Sequence, residues 1–164
     1  MNSENNNNHN SGGSNYGRFF LMLGLSFVAM YITMYLNTYE YDHVYFSLTR
    51  FYMTCLGIAA MAVIMLSLML KMYKSKKKNI AIYIGSLVLF VSALGLVRAQ
   101  RPIIGDVLYM KAMIPHHSIA ILTSKRADIK DPETKKLAEE IIEAQKREIA
   151  QMKKIIYRLK NEEN

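Results

Sequence analysis

Two thioethers and two imidazoles fall within eight residues of one another at Met110, Met113, His116 and His117. Ile114 and Pro115 separate the second Met from the histidines. Downstream, Gln145, Glu148 and Met152 recur at helical spacing on an otherwise apolar stripe. Thioether with imidazole is a soft donor set, which suits monovalent copper or silver. A single Met or His in such a stripe reads as packing or surface, because Met is a common core filler. The combination reads as a ligand set: metal donors Met110, Met113, His116, His117 and Met152, with Asp106, Gln145 and Glu148 around them. Glu148 is assigned the task of orienting a histidine rather than ligating, since carboxylate is hard and commonly fixes the tautomer of a ligating imidazole.

Those residues need elements to place them. At 100° per residue, Asp106, Met110, Met113, His117, Ile121 and Ser124 share one face of a helix expected over 104–125. His116 lies at the edge of that face. Pro115 lacks an N–H, so a kink or restart there would turn both histidines inward. A second helix is expected over 132–160, with Ala138, Ile141, Ile142, Gln145, Glu148, Ile149, Met152 and Ile156 on its inner face. Asp131-Pro132 has the form of a helix start, Asp as N-cap and Pro at the first helical position. The short turn at 128–131 makes the two helices antiparallel neighbours. Counting outwards from residue 130 sets His117 near Glu143–Gln145, Met113 by Glu148 and Met110 by Met152.

The remainder of the chain is apolar. Of its 164 residues, 51% are hydrophobic and 21% charged. Three stretches without a charge, Phe19–Leu36, Phe51–Leu70 and Ile80–Val97, are each long enough to cross a hydrocarbon core of about 30 Å. The first lacks a small-residue cleavage pattern and reads as a retained span, not a removed signal. The net charge of +8 does not imply nucleic acid, because Lys71, Lys74, Lys76, Lys77 and Lys78 concentrate in one loop. By the positive-inside rule that loop and the N-terminus are cytoplasmic, and residues 98–164 are extracytoplasmic, in a plasma (inner) membrane. Cys55, in the second span, is the sole cysteine, so no intrachain disulfide forms. Residues 1–17, rich in Asn, Ser and Gly, are expected to be disordered, and His9 among them is given no role. Tyr39, Tyr41 and Tyr45 suit a membrane interface, and His43 reads as a solvated loop histidine.

The expected division is therefore a tail (1–17), a three-span region (18–97) and an outer helical segment (98–164). Within the last, Asp106-x3-Met110-x2-Met113-Ile-Pro-His116-His117-x2-Ala120-Ile121 is followed by Leu137-Ala138-x2-Ile141-Ile142-x2-Gln145-x2-Glu148-Ile149-x2-Met152. This pattern resembles the domain-of-unknown-function 305 family over Asp106–Leu159. The resemblance implies a ferritin-like helical fold, an extracytoplasmic location and, as in some members, copper binding through Met110, Met113, His116, His117 and Met152. The chain has one helical hairpin where longer members carry two, and Leu122 and Thr123 where a further Met is common.

The fold class expected is thus all-α, three transmembrane helices followed by a ferritin-like antiparallel hairpin. A di-iron enzyme is excluded, because such sites need Glu-x-x-His pairs and 106–164 has none. The function expected is a non-enzymatic copper-binding protein, Cu(I) favoured. Its partners are the lipid bilayer, a second copy of itself and a copper-handling protein. Two alternatives remain at this level. One is a small copper-permeating transporter using Met30-x3-Met34 and Met61-x3-Met65-x3-Met69. The other is a structural membrane protein whose hairpin docks a partner.

Overall fold

The computed structural model describes residues 11–99 and 103–162, and side chains from Asn15 onward. Among these the chain is all-α. Its helices are α1 (Ser11–Thr33), α2 (Leu48–Leu68), α3 (Lys76–Ala99), α4 (Asp106–Arg126) and α5 (Pro132–Glu162), with a single 3-10 turn at Tyr41–His43. It divides into two compact units, Met1–Tyr31 with Tyr52–Arg98, and Ile32–Phe51 with Ala99–Asn164.

The first unit holds three helices that are long and apolar enough to cross a membrane, Asn15–Thr33, Leu48–Leu68 and Lys76–Ala99. Little of their surface is covered within the chain. Ile80, Ile84, Leu87, Val88 and Val91 of α3 are all exposed. In water such a surface would be costly, at roughly 25 cal/mol per Å² of apolar area. The unit closes around Phe19, Leu23, Ile58, Ala62, Leu66 and Tyr73. Met30, Met65 and Met69 pack against that cluster. One polar clasp fixes the start of α1: the Tyr16 hydroxyl donates to Asn79 Oδ1 at 2.7 Å, and Asn79 Nδ2 donates to the Tyr73 carbonyl at 2.8 Å. The clasp gives a reason why Ser11–Gly17 are already helical, against the expectation of a disordered tail to Gly17. Residues 1–10, His9 included, lie outside the described residues.

In the second unit α4 and α5 pack as an antiparallel pair around Met110, Ile114, Ile121, Ile149 and Ile156. Ile114 and Ile121 are fully buried, and each such side chain contributes about 1.5–3 kcal/mol by leaving water. Asp131 caps α5 as its sequence suggests, accepting the Thr134 N–H at 2.7 Å, with Pro132 first in the helix. The register differs from the count made from residue 130. His117 meets Glu148, about one turn beyond Gln145. After Arg126 the chain is extended at Ala127 (φ −68°, ψ 139°). Residues 133–137 are exposed, and Ala138 is the first buried residue of α5.

One further expectation changes here. α4 runs through Pro115 without a break, and Pro115 is buried. One lost backbone bond is tolerated inside a packed helix, so no restart turns His116 inward. The Tyr-rich loop before α2 packs within its own unit. Tyr39 and Tyr45 pack against the α4–α5 cluster, while Tyr41 is 97% exposed.

Candidate metal centre

One face of α4 and one face of α5 enclose a cavity of about 440 Å³. Its wall carries Met110, Met113 and His117 from α4, and Glu148 and Met152 from α5. Asp106 of α4 and Arg158 of α5 lie at the same wall. Helix geometry accounts for the grouping. Met110, Met113 and His117 are spaced by three and four, which stacks them on one stripe, and Glu148 and Met152 are spaced by four. Met110 is buried, Met113 and Met152 half-buried.

The His117 side chain is 15% exposed, and its Nδ1 lies 2.9 Å from Glu148 Oε2. That nitrogen is buried, and the Glu148 carboxylate is its ion-pair partner, set outside the angle of an aligned N–H···O bond. An imidazole on the same wall as three thioethers fits a soft monovalent cation. The wall also carries the oxygens of Asp106, Glu148 and Gln151, and the soft assignment rests on the three thioethers and the imidazole beside them. The cavity residues therefore fit the metal suggested by the sequence.

Not every residue singled out in the sequence is brought here. Gln145 is half-buried one turn away and does not line the cavity. His116 is exposed and lines a different cavity, on another side of α4. The His116 and His117 rings lie 6.2 Å apart, tilted by 66°.

A feature missed in the sequence is His43. It is buried, not solvated. Ser118, the residue after His117, holds it: Ser118 Oγ accepts the Tyr39 N–H at 2.7 Å and meets His43 Nδ1 at 3.0 Å. Glu40 Oε2 and Asp42 Oδ1 lie 3.5 Å and 3.6 Å from the other ring nitrogen. Asp42 is also paired with Lys153 of α5. Burial pushes the His43 pKa below the ordinary histidine value. Lys153 adds to this, and burial and Lys153 together outweigh the opposite pull of Asp42 and Glu40. The Lys153 hydrogen bond holds the Asp42 carboxyl below its usual range. The signal available in sequence was the alternation Glu40-x-Asp42-His43 facing Lys153, but nothing in the sequence sets those two segments side by side.

The spans present a contrast. Their larger cavity, about 720 Å³, is lined by apolar and small residues with Tyr16 and Lys78, and its described wall carries no methionine.

Comparison with known proteins comes to the same segment. Residues 97–162 match the family described as Domain of unknown function (DUF305). The chain is 37% identical over 145 residues to an uncharacterized protein of Acanthamoeba polyphaga mimivirus, covering 87% of this chain and 93% of the relative. No solved structure matches.

Proposed function

From the premise that this chain belongs to the family of the domain of unknown function DUF305, we propose that it is a membrane-anchored binder of Cu(I), with Ag(I) as mimic. The observation that carries this reading is the convergence of Met110, Met113, His117 and Met152 on one cavity, with Glu148 against the Nδ1 of His117. Thioethers favour the reduced ion, and imidazole adds a stronger donor without an oxidisable thiol. Glu148 orients His117 and offsets the charge of the ion. The role is sequestration, hand-off to a copper-handling partner, or tolerance; no bond is made or broken in a substrate.

The lysines around α3's start stay on the cytoplasmic side, and α4 and α5 lie on the extracytoplasmic side of a plasma (inner) membrane. Cysteine at Ser75 is then protected from a membrane-impermeant thiol reagent while cysteine at Glu162 reacts; the reverse pattern contradicts this orientation. α4 and α5 with the 32–51 segment cover only a small core, and Leu137 and Tyr157 of α5 remain exposed. A second copy would complete a ferritin-like four-helix arrangement, so cross-linking in membranes should yield a dimer or larger species.

The functional test is metal stoichiometry of the purified full chain. The wild-type chain is expected to hold Cu(I) against a competing chelator. The His117→Ala, Met152→Leu double variant is expected to lose at least about 100-fold in affinity, on the scale of losing the strongest donor and one thioether from a soft site. Unchanged affinity in that variant would overturn the assignment.

A further inference from the structure

Successive residues of an α-helix are turned by about 100°, so His116 and His117 serve different sides of α4. His116 opens on a second cavity of about 350 Å³, whose wall also carries Met34, Arg50, Tyr109 and Met113. Tyr109 and Met113 line the first cavity as well. Met113 stands three residues before His116 and four before His117, the two spacings at which side chains on one helix meet. Its thioether is thus within reach of both imidazoles. Met34 comes from the segment after α1, outside the 97–162 match. Its main chain is pinned there, because Arg50 donates to the Met34 carbonyl while its guanidinium stacks 4.4 Å over the Tyr35 ring.

We propose that Met34, Met113 and His116 form a second soft-metal station, from which a monovalent ion crosses α4 to the His117 cavity with Met113 as the shared ligand. The proposal rests on the reading of the His117 cavity as a Cu(I)/Ag(I) site. The two stations are unequal. The outer one offers two thioethers and a solvent-exposed imidazole, beside the fixed positive charge of Arg50. The inner one offers three thioethers and a shielded imidazole, with the two carboxylates of Asp106 and Glu148 against the single positive charge of Arg158. A cation is held less well at the first and better at the second, which gives transfer a direction. The step is ligand exchange. Bonds from the ion to Met34 and His116 break as bonds to His117, Met110 and Met152 form, while Met113 stays attached. No electron moves, the ion remains monovalent, and no thioether carries a proton to release.

The test uses the full chain in lipid nanodiscs and Cu(I) delivered from a coloured Cu(I) chelate, whose absorbance reports both rate and stoichiometry. Two ions per chain are expected in the wild type. The Met34→Leu, His116→Gln double variant should take up one ion, at least about tenfold more slowly, with the final affinity within about twofold of the wild-type inner site. Met34→Leu alone preserves volume and keeps the test valid if the double variant is unstable. It should slow loading without changing the melting temperature. Wild-type stoichiometry and rate in both variants would overturn the relay. If the wild-type chain takes one ion that depends on His117 but not on Met34 or His116, the relay fails and the proposed function stands. If the wild-type chain takes none, both fail.

Discussion

Methionine occupies two kinds of surroundings in this molecule. In the first unit Met30, Met65 and Met69 pack against Phe19, Leu23, Leu66 and their neighbours, and the large cavity among the spans has no thioether on its described wall. In the second unit Met110, Met113 and Met152 share a cavity with His117 and Glu148. Residue type alone does not separate the two. Both sets lie at helical spacing, and both contribute dispersion contacts. What differs is the company: a buried imidazole nitrogen and a carboxylate in one case, hydrocarbon in the other. A Met stripe in a span is thus poor evidence for permeation, whereas a Met stripe level with a histidine and an acid is evidence for a ligand set.

The contrast can be broken most forcefully at the cores. Ile114 is fully buried between α4 and α5, and Ile114→Ala should cost about 2–5 kcal/mol. Thermal unfolding of the full chain followed by protection of the α4–α5 amides would measure it. A loss under about 1 kcal/mol would mean that the pair is not packed as described.

Exchange of single thioethers sharpens the comparison. Met65→Leu conserves volume and should leave both metal affinity and stability nearly unchanged, with a stability effect under about 1.5 kcal/mol. Met113→Leu should be equally mild for stability but should weaken Cu(I) binding at least about tenfold, a tenfold change corresponding to about 1.4 kcal/mol. Equal effects of the two on binding would erase the distinction between packing and ligand methionines. At Gly57 an added Cβ would come within 2.9 Å of the Met30 sulfur. Gly57→Ala should be tolerated through a shift of that flexible side chain, and metal binding should not respond.

The pH response separates the units further. The unfolded chain titrates His43 at its ordinary value, 6.5, while the folded chain titrates it lower. Between the two values the unfolded chain holds the extra proton. Docking of the 39–43 segment on Ser118 is therefore fully stabilised above the ordinary histidine value and weakens as pH falls through it toward the folded value. Hydrogen exchange at the Tyr39 amide, which donates to Ser118 Oγ, should lose protection as pH falls below the ordinary histidine value. His43→Gln should flatten that dependence, and amides of α2 should show none of it. The smallest effect is expected at Asp131, whose cap on Thr134 is fully solvated: Asp131→Ala should loosen only the first turn of α5, seen as faster exchange there.

Much of this was legible in the sequence because it follows from periodicity. Uncharged runs mark the three long apolar helices, and the Asp131-Pro132 start of α5 follows from capping chemistry. The stripe of Met110, Met113 and His117 follows from a 3.6-residue repeat. Features that depend on long-range placement were not legible. The one-turn offset that pairs His117 with Glu148 depends on the path of the 127–131 connection, which no spacing rule reveals. His43 looked solvated because its partner, Ser118, is 75 residues away. His116 and His117 looked like one ligand pair because they are adjacent, whereas an unbroken helix through Pro115 sends them to different cavities. Met34 gave no sign of joining α4, since its neighbours in sequence belong to the end of an apolar helix.

The central claim is that thioether sulfur and the imidazole of His117 together hold a monovalent ion. X-ray absorption at the copper edge, on the full chain loaded with one Cu(I), tests it directly. The expected inner shell contains two or three sulfurs and one imidazole nitrogen, with the nitrogen scattering lost in His117→Ala and the sulfur scattering reduced in Met152→Leu. A shell made only of nitrogen and oxygen, unaltered by either substitution, would contradict the account.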